Sequence, residues 1–165
     1  MIAEFIVSEI TAADTQPLRR AVLRDGRPDA VVEFPEDGAA GAFHLGARLG
    51  PGGPIVAVST WVPRQLPDDL EHRAIQLRGM ATATSLQGTG LGALLLHAGC
   101  ERAAQGGAEL VWARARDAAL NFYERHGFSV VGDGFIDGTT QLAHHLVVCH
   151  LHPAPDQVVG SEPRP

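Results

Sequence analysis

At 165 residues the chain is long enough for one domain with a sizeable core and too short for two comfortable ones. Its net charge of −6, with every one of its thirteen basic residues an arginine, disfavours nucleic acid as a partner and mildly favours a cationic substrate such as an amine. No apolar run reaches the roughly 18 residues of a membrane span, no signal-peptide pattern opens the chain, and two distant cysteines, Cys100 and Cys149, point to a reducing, cytoplasmic setting rather than a disulfide framework.

Glu4 to Ile10 reads as a first strand, and Thr11 is placed to cap a helix carrying Leu18, Val22 and Leu23. Gly26 to Gly41 is rich in Gly, Pro, Asp and Glu, which predicts a long loop with at most a short element inside it; loops of that length are often functional. Ala42 to Leu49 and Ile55 to Trp61 read as strands joined through Gly50-Pro51-Gly52-Gly53-Pro54, a hairpin signal. After a loop over Pro63 to Asp69, Ala74 to Ala81 alternates as a half-buried strand does. Leu91, Leu94, Leu95 and Ala98 then recur along one helix face. Leu110 to Ala113 reads as a strand, followed by a helix through Leu120 and Tyr123 and by strands near Phe128–Val131 and His145–Cys149. The segment 153–165 is Pro-rich and polar, the composition of a disordered tail, which leaves residues 1–152 as the domain. This order of elements predicts a mixed α/β sheet with helices on both faces.

The most informative stretch is Gln87-Gly88-Thr89-Gly90-Leu91-Gly92, between a predicted strand and a predicted helix. A glycine-rich turn that opens a helix offers unpaired backbone N–H groups and the positive end of the helix dipole, which bind phosphate without basic side chains. Glycine suits the place because a Cβ would obstruct the phosphate and disfavour positive φ. The alternating Gly88, Gly90 and Gly92 do not fit the Gly-x-Gly-x-x-Gly of a dinucleotide fold, and a chain without lysine has no nucleoside-triphosphate P-loop.

Leu77-Arg78-Gly79-Met80-Ala81-Thr82, then Gln87 to Gly92, then Asn121-Phe122-Tyr123-Glu124-Arg125-His126-Gly127-Phe128 together resemble the GCN5-related N-acetyltransferase (GNAT) superfamily. The likeness is strong from Ala74 to Val131 and weaker over the first 70 residues. It implies a mostly antiparallel central sheet flanked by helices on both faces, and acetyl-coenzyme A as co-substrate. It further implies that the backbone of Gln87, Gly88, Thr89, Gly90, Leu91 and Gly92 holds the pyrophosphate, while Met80, Ala81 and Thr82 pair with pantetheine and a backbone N–H near Met80 faces the oxyanion. Tyr123, the only tyrosine, falls where the family directs a hydroxyl at the thioester sulfur. A phenol near pKa 10 is a weaker acid than a thiol near 8.5, so complete proton transfer is about 2 kcal/mol uphill and a hydrogen bond is the better role. Asn121 joins the cofactor candidates. Arg116 stands where many members carry an asparagine, and Arg116 or Arg125 is placed to meet the 3′-phosphate by a forked contact.

The strand before the glycine turn offers Gln76 and Arg78 where relatives often carry a Glu base. The remaining candidates are Glu33 and Glu36 in the long loop, Asp69 and Glu71 before the strand, and His144 and His145 near the last strand. A histidine is matched to neutral pH, which favours His144 or His145; a water chain without a single base is the alternative. His150 and His152 would share one face of a strand with no metal-binding spacing around them, and no metal site is expected. The resemblance thus implies an N-acetyltransferase acting on a small-molecule or peptide amine, with no nucleic acid or membrane partner. Dimerisation is common among such proteins. A non-catalytic acyl-coenzyme A sensor is the rival reading. Acceptor choice would lie in Arg19 to Gly41 and Asp133 to His144.

Overall fold

The computed structural model describes residues 4–152, so the predicted tail lies outside the described residues. Seven strands form one sheet in the order β1-β2-β3-β4-β5-β7-β6. They are β1 (Phe5–Ile10), β2 (Phe43–Leu49), β3 (Ile55–Pro63), β4 (Ala74–Thr82), β5 (Leu110–Arg116), β6 (Ser129–Ile136) and β7 (Ala143–His150). Every neighbouring pair is antiparallel except β4 and β5. Helix α1 (Ala12–Leu18) covers one face, and α2 (Leu91–Gln105) and α3 (Leu120–Arg125) cover the other. The expected mixed, mostly antiparallel sheet between helices is therefore the one observed.

Alternation along the strands sets the two faces. Phe43, Leu45, Ala57, Trp61, Ile75 and Leu77 pack with Leu91, Leu95 and Leu96 of α2. Ile10, Val58 and Ala81 turn the other way, onto Leu18, Val22 and Leu23. Gly99 of α2 rests directly on Trp61, and a Cβ there would come within 1.8 Å of the indole. That contact sets how closely α2 approaches the sheet.

Helix α1 begins as expected. Thr11 Oγ1 accepts from the Asp14 N–H at 3.2 Å and Asp14 Oδ2 accepts from the Thr11 N–H at 3.1 Å, a reciprocal cap. Leu18, Val22 and Leu23 do not share one regular helix, however. Pro17 lacks the N–H for an i→i−4 bond, and the turn Arg19–Leu23 that follows is a wider π turn. The loop after it holds only a 3₁₀ turn, Pro35–Gly38. Its anchor is Arg19, whose buried guanidinium donates to Asp37 twice at 2.8 Å, to the Val32 carbonyl at 2.8 Å and to Thr60 Oγ1 at 2.7 Å. Its Nε has no hydrogen-bond partner among the described residues, but Cζ lies 3.8 Å from the centre of the Phe34 ring.

Two irregularities in β4 open the sheet. Val58 pairs with Ala81 and Thr60 with Arg78, so Ser59 faces both Gly79 and Met80 across a bulge. Gly79 has φ +58, and a Cβ there would lie 2.7 Å from the Phe34 ring, so both the conformation and the space require glycine. On its other side β4 pairs with β5 only through Ala74–Leu110, Ile75–Val111 and Gln76–Trp112. Beyond Gln76 the two strands part.

Candidate active site

The split between β4 and β5 is the floor of a cleft of about 1140 Å³ that reaches both faces of the sheet. Of the residues singled out in the sequence, it brings together Met80, Ala81, Thr82, Gln87, Gly88, Gly92, Arg116, Tyr123 and His144. Thr89, Gly90 and Leu91 continue the same turn; the Leu91 side chain is in the core, so this residue offers its backbone alone. Asn121 is exposed on α3 and does not line the cleft, nor does Arg125, whose Nε donates to the Asn121 carbonyl at 3.3 Å.

The glycine turn has the geometry of an anion cradle. Gly88 has φ +78 and Gly90 φ +90, and a Cβ built on either would meet no protein atom within 4 Å. Conformation, not crowding by the protein, therefore demands these glycines, and the space above them is open. Gln87 Nε2 donates to the Thr82 carbonyl at 3.3 Å and Thr89 Oγ1 to the Leu86 carbonyl at 2.5 Å, pinning the turn to the end of β4. The N–H groups of Gly88, Thr89 and Gly90 donate to no backbone acceptor among the described residues, and α2 starts at Leu91. Unpaired donors, open space and a helix N-terminus fit a pyrophosphate.

Tyr123 is almost fully buried, with Phe122 and Phe128 edge-on to its ring at 5.3 Å each. Its hydroxyl has no hydrogen-bond partner among the described residues. Burial pushes the phenol up to about 12. It stays protonated at any ordinary pH and is about 5 kcal/mol too weak an acid to hand its proton to a free thiolate.

His144 and His145, adjacent on β7, point to opposite faces. His144 is buried in the cleft wall, stacked on Phe135 at 5.8 Å. Its Nδ1 lies 2.8 Å from the Leu142 carbonyl, which can only accept, so Nδ1 carries the proton and a neutral ring keeps its lone pair on Nε2. His145 lies outside the cleft, with Nδ1 2.6 Å from Asp117 Oδ1 and its ring packed on Gly134.

The other base candidates are engaged elsewhere. Burial raises the Glu36 carboxyl, yet its own backbone N–H, Arg64 and Arg78 outweigh this and hold it below the usual range. Asp69 accepts from the backbone N–H and ring of His72. Among the described residues Glu33 meets only Gln16, at 3.5 Å, and Glu71 lies outside the cleft.

Arg116 was singled out in the sequence; the other wall residues beside it were not. Arg116 ends β5 rather than belonging to the following helix, which starts at Leu120. Arg114, two residues earlier on the same face, donates to Asp137 at 3.0 Å. Asp137 also accepts from the N–H groups of Thr139 and Thr140. Arg19, Phe34 and Asp37 fix the loop over the cleft; the sequence clue was an arginine within the apolar stripe Thr15, Leu18, Val22. Among the described residues no three His, Cys, Asp or Glu side chains group to hold a metal, and no helix is long and apolar enough to cross a membrane.

This geometry has known counterparts. The chain is 29% identical over 143 residues to the uncharacterized N-acetyltransferase YitI of Bacillus subtilis (strain 168), covering 86% of this chain and 93% of that protein. An acyl-CoA N-acyltransferase structure from Pseudomonas aeruginosa superposes with a TM-score of 0.70 at 17% identity, covering 88% of this chain and 99% of that one. An aminoglycoside 6′-N-acetyltransferase complexed with coenzyme A superposes with a TM-score of 0.68 at 14% identity, covering 92% and 99%. These likenesses establish the fold. The model of the acetyltransferase (GNAT) family matches residues 13–128, most of the chain. With the split sheet and glycine turn inside that span, the chain belongs to the GNAT family of acetyltransferases.

Proposed function

We propose that the protein transfers the acetyl group of acetyl-coenzyme A directly to a primary amine, both substrates being bound together. The observation that carries this reading is the through-going split: one sheet face presents the glycine turn and Tyr123, the other His144, with the open edge of β4 between them. The cofactor supplies an activated acetyl thioester. Gln87 to Gly92 would hold its pyrophosphate on backbone N–H groups, Met80 to Thr82 would pair with its pantetheine arm, and Arg116 is available to its phosphates. The bulge at Gly79 turns the Met80 backbone out of register, and its N–H, at the open edge of the strand, would be the donor to a developing oxyanion.

His144 Nε2 takes the proton that the amine sheds as the C–N bond forms and the C–S bond breaks. Tyr123 donates a hydrogen bond to the departing sulfur and keeps its own proton, as a phenol near 12 must. The sulfur leaves as a thiolate and takes its proton from solvent. Aromatic packing around Tyr123 excludes water from that side and strengthens the hydrogen bond.

The test is calorimetric titration with acetyl-coenzyme A, beside Gly90→Glu, followed by thioester turnover with a panel of amines. We expect binding by the wild type and loss of at least ~100-fold in the variant, where a carboxylate meets the phosphate. A folded wild type that does not bind acetyl-coenzyme A would sink the reading. Binding without turnover on any amine would instead favour the non-catalytic sensor.

A further inference from the structure

The cleft wall around His144 is basic, although the chain as a whole is acidic. Arg24, Arg64, Arg78, Arg114 and Arg116 all line it. Their partners do not balance them. Glu36 is shared between Arg64 at 2.7 Å and Arg78 at 2.6 Å, and Asp137 serves Arg114. Arg24 bonds only the Leu23 carbonyl, and the Arg116 side chain has no partner among the described residues. Asp37 is engaged by buried Arg19, and Asp29 and Glu33, which share an adjoining hollow with Arg24, form no ion pair with it among the described residues. Leaving Arg116 to the cofactor's phosphates, four guanidiniums (Arg24, Arg64, Arg78, Arg114) still meet two carboxylates.

Position adds to the excess. Gln76 and Trp112 are the last ladder pair of β4 and β5; Arg78 and Arg114 each follow two residues later, on the same sheet face as those residues and on either side of the split. Arg116 pairs across β5–β7 with His144, which puts Arg114 diagonal to the imidazole on that face. Arg78 is crowded by charge of its own sign: burial disfavours its cationic form, Glu36 relieves it, and Arg64, Arg19 and Arg114 oppose it again.

We propose that the acceptor is an amine that also carries a carboxylate, held between Arg78 and Arg114 with its amino group toward His144; this rests on the acetyltransferase reading above. An anion there supplies the missing counter-charge, and the planar guanidinium fork matches two carboxylate oxygens. A polyamine would bring further positive charge to a wall already in excess, so the composition-based preference for a cationic acceptor does not hold at the site itself.

The experiment uses matched acceptors with acetyl-coenzyme A: free amino acids and dipeptides, their C-terminal amides, O-phosphoethanolamine and spermidine. Thiol release gives kcat and KM, and calorimetry on the coenzyme A-bound protein gives acceptor affinity without turnover. We expect carboxylate-bearing amines to exceed their amides at least ~10-fold in kcat/KM and in affinity. Arg114→Gln should raise KM for the carboxylate arm and narrow that preference below about threefold with acetyl-coenzyme A affinity retained; Arg114→Lys should recover part of it. Amides or spermidine matching the acids, O-phosphoethanolamine outdoing them, Arg114→Gln weakening every acceptor alike, or no member of the panel binding would each overturn the proposal. Failure to bind acetyl-coenzyme A at all would fall on the transferase reading instead.

Discussion

At the scale of single residues, the site is a matter of which proton each group can hold. Tyr123 was legible as the family's tyrosine; that its phenol is pushed up to about 12 by burial among Phe122, Phe128 and the core was not. The shift suits it, in the proposed reaction, to donating a hydrogen bond rather than giving up its proton. Tyr123→Phe should therefore lower kcat by about 10- to 100-fold, the smaller end of acid–base effects, and leave acetyl-coenzyme A affinity unchanged in calorimetry. An unchanged kcat would show that the ring only packs. His144 and His145 were equivalent in the sequence, because nothing local says which face of β7 is which. Their partners separate them: the Leu142 carbonyl orients His144 within the cleft, and Asp117 fixes His145 outside it.

At the scale of elements, α2 shows what a periodic pattern yields and what it misses. Its opening glycines were plain in the sequence and its apolar stripe nearly so: Leu91 and Leu95 are buried, but Leu94 is exposed and Leu96 and Gly99 face the core in its place. By propensity alone a glycine at position 99 weakens a helix. In the fold it is the point where α2 touches Trp61, with no room for a methyl group. Gly99→Ala, which would stabilise an exposed helix by about 1 kcal/mol, should here cost at least ~2 kcal/mol, measured by urea unfolding. An unchanged midpoint would mean that the helix can shift away. The β4 bulge and the short β4–β5 ladder are likewise tertiary: alternation marks a strand but not where its neighbour leaves it.

For the whole molecule, pH bears on the groups that burial makes ionise late, Cys100 and Tyr123 above all. Burial raises the Cys100 thiol to about 12 and the Tyr123 phenol to about 12, from ordinary values of 9.0 and 10.0. Both folded values lie above the unfolded ones, so the folded state is unpenalised below pH 9 and loses stability as pH climbs from there toward 12. Thermal midpoints should be level to about pH 9 and fall above it, and Cys100→Ala should make the fall between about pH 9 and 10 shallower, the remainder there belonging to Cys149, whose thiol burial also raises. Coincident profiles for the two proteins would refute the assignment to Cys100. In acid the signs reverse. Burial raises Asp37, but Arg19 and the Phe34 N–H hold it below its usual value, so its contribution fades as pH falls through that lowered range.

What the sequence determined by itself is what local chemistry encodes: the strand and helix periods, the Thr11 cap, the glycine turn and the family pattern from Leu77 to Phe128. Each depends on residues within a few positions of one another. What only the tertiary structure decided is the content of the cleft wall around His144. Arg19 meets Asp37, Arg78 meets Glu36 and Arg114 meets Asp137 across separations of 18, 42 and 23 residues, and no short-range pattern foretells such pairs. The sign of the cleft follows from those pairings. Net charge sums the whole surface, whereas a bound substrate responds to the few groups that a strand's parting brings within reach.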